Sequence, residues 1–128
     1  MSYGFSRTVS LSYESAIQEV TEELKKEGFD VLTTIDVKET LKKKLNVEFN
    51  KYIILGACNP PFAYQALQAE EQIGLLLPCN VIVYEKDGKT VVAAFDPMSM
   101  AKVMDNDAME PIADQVRAKL LRAINAVG

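Results

Sequence analysis

The stretch "PCNVIVYEKDGKTVVAAFDP", residues 78–97, constrains the fold of this chain more than any other. Two apolar runs flank Asp87-Gly88. An Asp-Gly pair suits a two-residue turn whose central residues both take positive φ, and such a turn closes an antiparallel hairpin. The sequence therefore predicts strands over Cys79–Glu85 and Thr90–Phe95, adjacent and antiparallel.

The segment Tyr3–Leu11 supports the same class of sheet. Tyr3, Phe5, Val9 and Leu11 alternate with Ser6, Thr8 and Ser10, and Arg7 is the one polar residue on the apolar side. Period-two alternation describes a strand with one buried and one wet face, which favours antiparallel pairing. Ser12 can then cap a helix whose apolar positions are Tyr13, Ile17, Val20 and Leu24, with Gly28 placed to end it. A second strand is expected over Phe29–Ile35, with Phe29, Val31, Thr33 and Ile35 on one face. Asp36 and Glu39 have capping-box spacing and open a short helix carrying Leu41 and Leu45. "YIILGAC" ends a third, central strand over Phe49–Cys58, in which Gly56 signals a bulge or a close approach by another group.

Asn59-Pro60 has the order cap residue then proline that starts helices. Phe62, Ala66, Leu67 and Ile73 would line the inner face of that helix, which fades by Gly74. Asp96-Pro97 opens another short helical stretch. A last helix begins near Asp107 or Glu110, with Met109, Ile112, Val116, Leu120, Ala123 and Val127 as its core stripe. The expected fold is a two-layer α+β domain over residues 1–128: a mostly antiparallel sheet of four to five strands with helices packed on one face. Parallel pairing stays open around the third helix.

Composition removes several functions. No histidine occurs among the 128 residues. Its absence excludes Ser-His-Asp and Cys-His catalysis and mixed Cys/His zinc sites. The net charge of −4 gives no general attraction for nucleic-acid phosphates. The one cationic run, "LKKKL" at 41–45, reads as a solvated helix face. No signal-like leader is visible, and the apolar runs are too short to span a bilayer. The expectation is a cytoplasmic protein that contacts neither membrane nor nucleic acid. In that compartment Cys58 and Cys79 are expected to be free thiols.

"LGACNP" at 55–60, "LPCNVIVYE" at 77–85 and Asp96-Pro97, in this order and with a helix between the first two, resemble the family known as domain of unknown function 302. The similarity extends over nearly the whole chain. The resemblance implies a small two-layer α+β domain, often a homodimer, with no established activity and no catalytic residues to carry over. Cys58, Asn59, Pro60, Pro78, Cys79, Asp96 and Pro97 match the family's pattern.

The relation of the two cysteines is the open question. A helix of about 12 residues after Pro60 covers roughly 18 Å and would most simply leave Cys79 at the far end of the sheet from Cys58. "GLLLP" at 74–78, if extended, could span about 17 Å and bring Cys79 back. The separated arrangement is the expectation. A dimer could also bring thiols from different chains together. Cys58, just before a helix N-terminus, could be a thiolate. Small apolar packing is the more common role for either cysteine.

The candidate ligand-binding residues are Cys58, Asn59, Cys79, Asn80 and Asp96. For Asn59 a helix-capping role is the stronger reading, and for Asp96 a turn or cap. Met98, Met100, Met104 and Met109 read as packing, although with the thiols they could supply soft ligands for Cu(I). The expected function is a small homodimeric binding or assembly module, non-enzymatic and without a cofactor, with a small-molecule ligand as a candidate partner. Its dimer surface would be a sheet edge or the apolar part of "IGLLLP". The alternative is a soft-metal or thiol-redox protein using Cys58 and Cys79.

Overall fold

The computed structural model describes residues 3–128. The elements run β1 Gly4–Val9, α1 Tyr13–Lys26, β2 Asp30–Asp36, α2 Val37–Leu45, β3 Tyr52–Cys58 and α3 Pro60–Ala69. A 3₁₀ turn, Glu71–Leu76, follows. Then come β4 Cys79–Lys86, β5 Lys89–Phe95, α4 Pro97–Val103 and α5 Met109–Ala126. The five strands form one sheet in the order β1-β5-β4-β3-β2, and every ladder is antiparallel. The fold is α+β, as the sequence predicted.

Local chemistry explains the boundaries. Asp87 and Gly88 take φ of 54° and 76° and join β4 to β5, with Lys86 opposite Lys89. This is the turn expected of Asp-Gly. Ser12 Oγ accepts from the Ser15 amide and Asp36 Oδ1 from the Glu39 amide, so both predicted caps form. At the end of α1 the Gly28 amide donates to Lys25 O and the Phe29 amide to Leu24 O, with Gly28 at φ 89°. That pair of bonds is a Schellman motif, and glycine supplies its left-handed residue.

Alternation along the strands sorts the sheet into two faces. Ile53, Leu55 and Ala57 of β3, Cys79, Val81 and Val83 of β4, and Val92 and Ala94 of β5 are buried with Val20 and Leu24 of α1 and Leu120 and Ile124 of α5. The stripe read from α5 is this packed face, with Ile112 partly buried. A second cluster joins Ala66, Ile73, Met100 and Met109, so the methionines pack α3 and the 3₁₀ turn against α4 and α5.

Arg7, the polar exception in β1, has a structural task. It stands opposite Val92, on the helix side of the sheet. Its Nη1 donates to the carbonyls of Ile124, Asn125 and Val127, at 2.9, 3.0 and 2.6 Å. A cation at a helix C-terminus satisfies carbonyls that lack intrahelical partners and complements the dipole.

Three expectations are corrected. First, β2 does not keep one face: Val31 stands opposite Ala57 but Thr33 opposite Gly56, with a bulge between them. The extra residue, Leu32, moves Thr33 and Ile35 to the other side of the sheet from Val31. Second, α3 stops at Ala69 rather than fading by Gly74, because Glu70 turns to an extended conformation at φ −151°. Third, no parallel pairing occurs around α3. The earlier stop leaves residues 70–78, rather than only 74–78, to carry the chain back, so β4 starts at the same end of the sheet where β3 finished.

Gly56 answers to a close approach. A Cβ there would overlap Thr33 Oγ1 and lie 2.7 Å from Pro78 Cγ. Gly56→Ala should therefore cost about 1–3 kcal/mol by overpacking, and Thr33→Ala in the same chain should recover part of the loss. Arg7→Leu, which removes the donor from three helix-end carbonyls, should cost about 2 kcal/mol. Urea unfolding of the three variants beside the parent chain measures both effects.

Candidate functional site

The return of the chain after α3 places Cys79 directly opposite Ala57 and Asn80 opposite Gly56. Cys58 is the next residue along, so the two thiols are neighbours on adjacent strands. The expected separation is overturned, and the early end of α3 is the reason. Closeness does not make a disulfide, and both cysteines are free. Residues one step out of register alternate in direction along the strand, whereas a disulfide needs both Cβ atoms directed at one another.

Both cysteine residues border one cavity of about 390 Å³ at this end of the sheet. Its floor is the strand ends, including Ala57 and Thr33. Phe62, Ala66 and Leu67 of α3 form one wall, and Met100 of α4 with Val116 of α5 another. Helix α3 buries only Ala66 fully, while Phe62 is half-buried and Leu67 is 43% exposed. The inner face predicted for α3 therefore does two things: Ala66 and Ile73 join a buried cluster, while Phe62, Ala66 and Leu67 also border the cavity. No Asp, Glu, Lys or Arg lines the cavity.

The environment keeps both thiols protonated at neutral pH. Burial, followed by the charge of Cys58, pushes the Cys79 thiol up to about 11. Burial, followed by the nearby Asp30 carboxylate, also raises Cys58. The thiolate that the α3 N-terminus could have supported is not favoured, because desolvation and a neighbouring anion outweigh the dipole, in line with the packing role expected for Cys58.

The remaining candidates divide. Asn59 is buried but does not cap α3 with its side chain. Its Nδ2 instead donates to Glu27 O at 3.1 Å and ties the start of α3 to the end of α1. Asn59 also lines the cavity. Asp96 is engaged elsewhere. Its Oδ1 accepts from the Met98 amide, capping α4, and both its oxygens accept from Arg117 Nε at 3.0 and 3.1 Å. Asn80 lies on the other face of the sheet. There it borders a groove of about 640 Å³ with Tyr52, Ile82, Tyr84, Phe95 and the Leu75–Leu77 segment. The structure therefore brings together Cys58, Asn59 and Cys79, and leaves Asn80 and Asp96 apart from them. Sequence reasoning missed Thr33, Phe62 and Val116 as neighbours of the thiols. Only the apolar face of α3 hinted at them. Among the described residues no three of His, Cys, Asp and Glu gather as a metal set. No helix among them is long and apolar enough to cross a membrane.

The architecture defines a class: a small α+β domain with a five-stranded antiparallel sheet, one face packed by helices and an apolar cavity at the sheet's end. The family model for domain of unknown function DUF302 matches residues 5–127, and the chain belongs to that family. Among solved structures, the crystal structure of an uncharacterized conserved DUF302 protein from Bacillus stearothermophilus is similar, with a TM-score of 0.93 and 29% identity over 100% of both chains. No curated protein matches the chain significantly.

The raised thiols set an alkaline signature. Below pH of about 8.5 native and unfolded chains both hold the Cys79 proton. As pH rises further the unfolded chain loses it first, so native stability should fall with pH up to about 11. Denaturation from pH 8 to 11 should show this slope, and Cys79→Ala should flatten it.

Proposed function

We propose that this protein is a homodimeric assembly module with no catalytic role, whose two copies meet through the groove-bearing face of the sheet. One observation carries the reading. Tyr52 and Ile54 of β3, Ile82 and Tyr84 of β4, and Phe95 of β5 share that face, and no charged residue lines its groove. Tyr52 and Tyr84 stack there with ring centroids 5.2 Å apart. At the border Leu75 is 83% exposed.

A second copy suits this surface better than an unrelated partner of strong charge. A two-fold pair uses the same patch on both sides. Here a projecting leucine lies beside a groove, so the ridge of one copy can enter the groove of its partner. Five strands at about 4.8 Å spacing make a field roughly 20 Å wide. With the Leu75–Leu77 border it approaches the area of about 800 Å² per partner found in stable complexes. The absence of charge in the groove means that pairing buries no unpaired ion there. The sequence adds support for a non-catalytic role, since it has no histidine. So do the protonated thiols and the commitment of Asp96 to Arg117.

A second reading draws on Cys58, Cys79 and Met100, three sulfur-bearing residues that border one cavity. Soft sulfur ligands select Cu(I). Titration with Cu(I) against a competing chelator tests it. One ion per chain, lost in Cys58→Ser, would support a soft-metal role, and no uptake would remove it.

Sedimentation or light scattering at micromolar concentration should give about twice the chain mass of 14.2 kDa. Leu75→Glu and Ile82→Glu should each shift the species to monomer with an unchanged far-UV spectrum. A parent chain that stays monomeric would refute the proposal.

A further inference from the structure

We infer that the cavity at the end of the sheet is a binding site for a neutral, largely apolar small molecule, a function distinct from dimerisation. The site is built by three elements that fail to close on one another. Helix α3 is held at its start by Asn59, whose amide is tied to Glu27 O. At its other end Asn106 Nδ2 donates to Ala69 O at 2.8 Å. With α3 fixed at both ends, a space bordered by α3, by Val116 of α5 and by the strand ends remains. Its volume of about 390 Å³ falls within the range of about 300–1,000 Å³ seen for ligand pockets.

The lining sets the chemistry of the occupant. Phe62, Ala66, Leu67, Met100 and Val116 offer apolar surface, and no charged side chain faces the space. A charged ligand would lose its hydration without gaining a counter-ion, which is costly in an apolar site. The thiols add no charge, since burial keeps the Cys79 proton in place. The polar residues in the lining are few: Thr33, Asn59 and the two cysteines. An aromatic or aliphatic molecule with one or two neutral hydrogen-bonding groups fits this set. A phosphate, carboxylate or polyol does not. Leu67 stands partly exposed at the cavity's edge, so the α3 side offers an approach for the ligand.

The test uses the full chain and two naphthalene fluorophores, neutral N-phenyl-1-naphthylamine and its anionic analogue 1-anilinonaphthalene-8-sulfonate. The neutral probe should bind saturably, one per chain, and slow the alkylation of Cys58 and Cys79 when bound. Ala66→Phe, which fills the space, should weaken it by about tenfold or more. Leu67→Asp, a change at a partly exposed position that should spare the fold, should weaken it comparably by placing a charge at the mouth. The anion should bind at least about tenfold more weakly to the parent chain. Absent saturable binding, affinity unchanged in Leu67→Asp, or equal affinity for the anion would each overturn the inference. Sedimentation of the same samples separates the two ideas: a monomeric parent that binds the probe sinks only the dimer, and a dimer that does not bind it sinks only this site.

Discussion

The antiparallel pairing of β3 with β4 is the constraint on which the rest depends. Setting Ala57 opposite Cys79 brings the end of one central strand beside the start of the next. That forces the intervening chain to leave the sheet and return to the same end. Helix α3 and the 3₁₀ turn are the loop so made. A loop that must return over a short span cannot lie flat along the sheet as a crossover helix does, because a crossover travels the full strand length before the chain re-enters. It stands at the sheet's end instead. The cavity beneath it, the adjacency of the thiols and the position of Leu75 beside the groove all follow from that one register.

Different physics acts on the two faces of the sheet. The helix side is closed by aliphatic side chains with α1 and α5, and Arg7 crosses into that layer only because the end of α5 offers it carbonyls. On the other side, aromatic and aliphatic residues meet a groove with no charged lining. Burial of apolar area is favourable wherever it can be had, at about 25 cal/mol per Å². An apolar face of this kind therefore favours association. The end cavity differs in its walls, since α3 beside it is anchored through hydrogen bonds from Asn59 and Asn106.

Much of the fold was legible because it is local. Asp87-Gly88, the caps at Ser12 and Asp36, Gly28 and the α5 stripe act over a few residues, and each behaved as its chemistry requires. The bulge at Leu32 was not legible. It arises from how β2 meets Gly56 and Ala57, and period-two reading of β2 alone has no signal for it. Asn59 misled for a similar reason: a residue of cap type in cap position gave its amide to a carbonyl 32 positions earlier in the chain. Among the candidate site residues, Cys58, Asn59 and Cys79 share a cavity, while Asp96 serves α4 and Arg117 and Asn80 lies across the sheet.

By itself the sequence determined which segments are strands and which are helices, that the sheet is antiparallel at its hairpin, and that no imidazole chemistry is available. Those properties are set by turn geometry, by the two periodicities of apolar residues, and by composition. Only the tertiary structure decided where α3 stops relative to the sheet, and with it whether Cys58 and Cys79 are neighbours. That outcome rests on contacts between residues far apart in the chain, such as Asn106 with Ala69 and Pro78 with Gly56. A linear pattern holds no record of such distances, because they exist only once the chain has closed on itself.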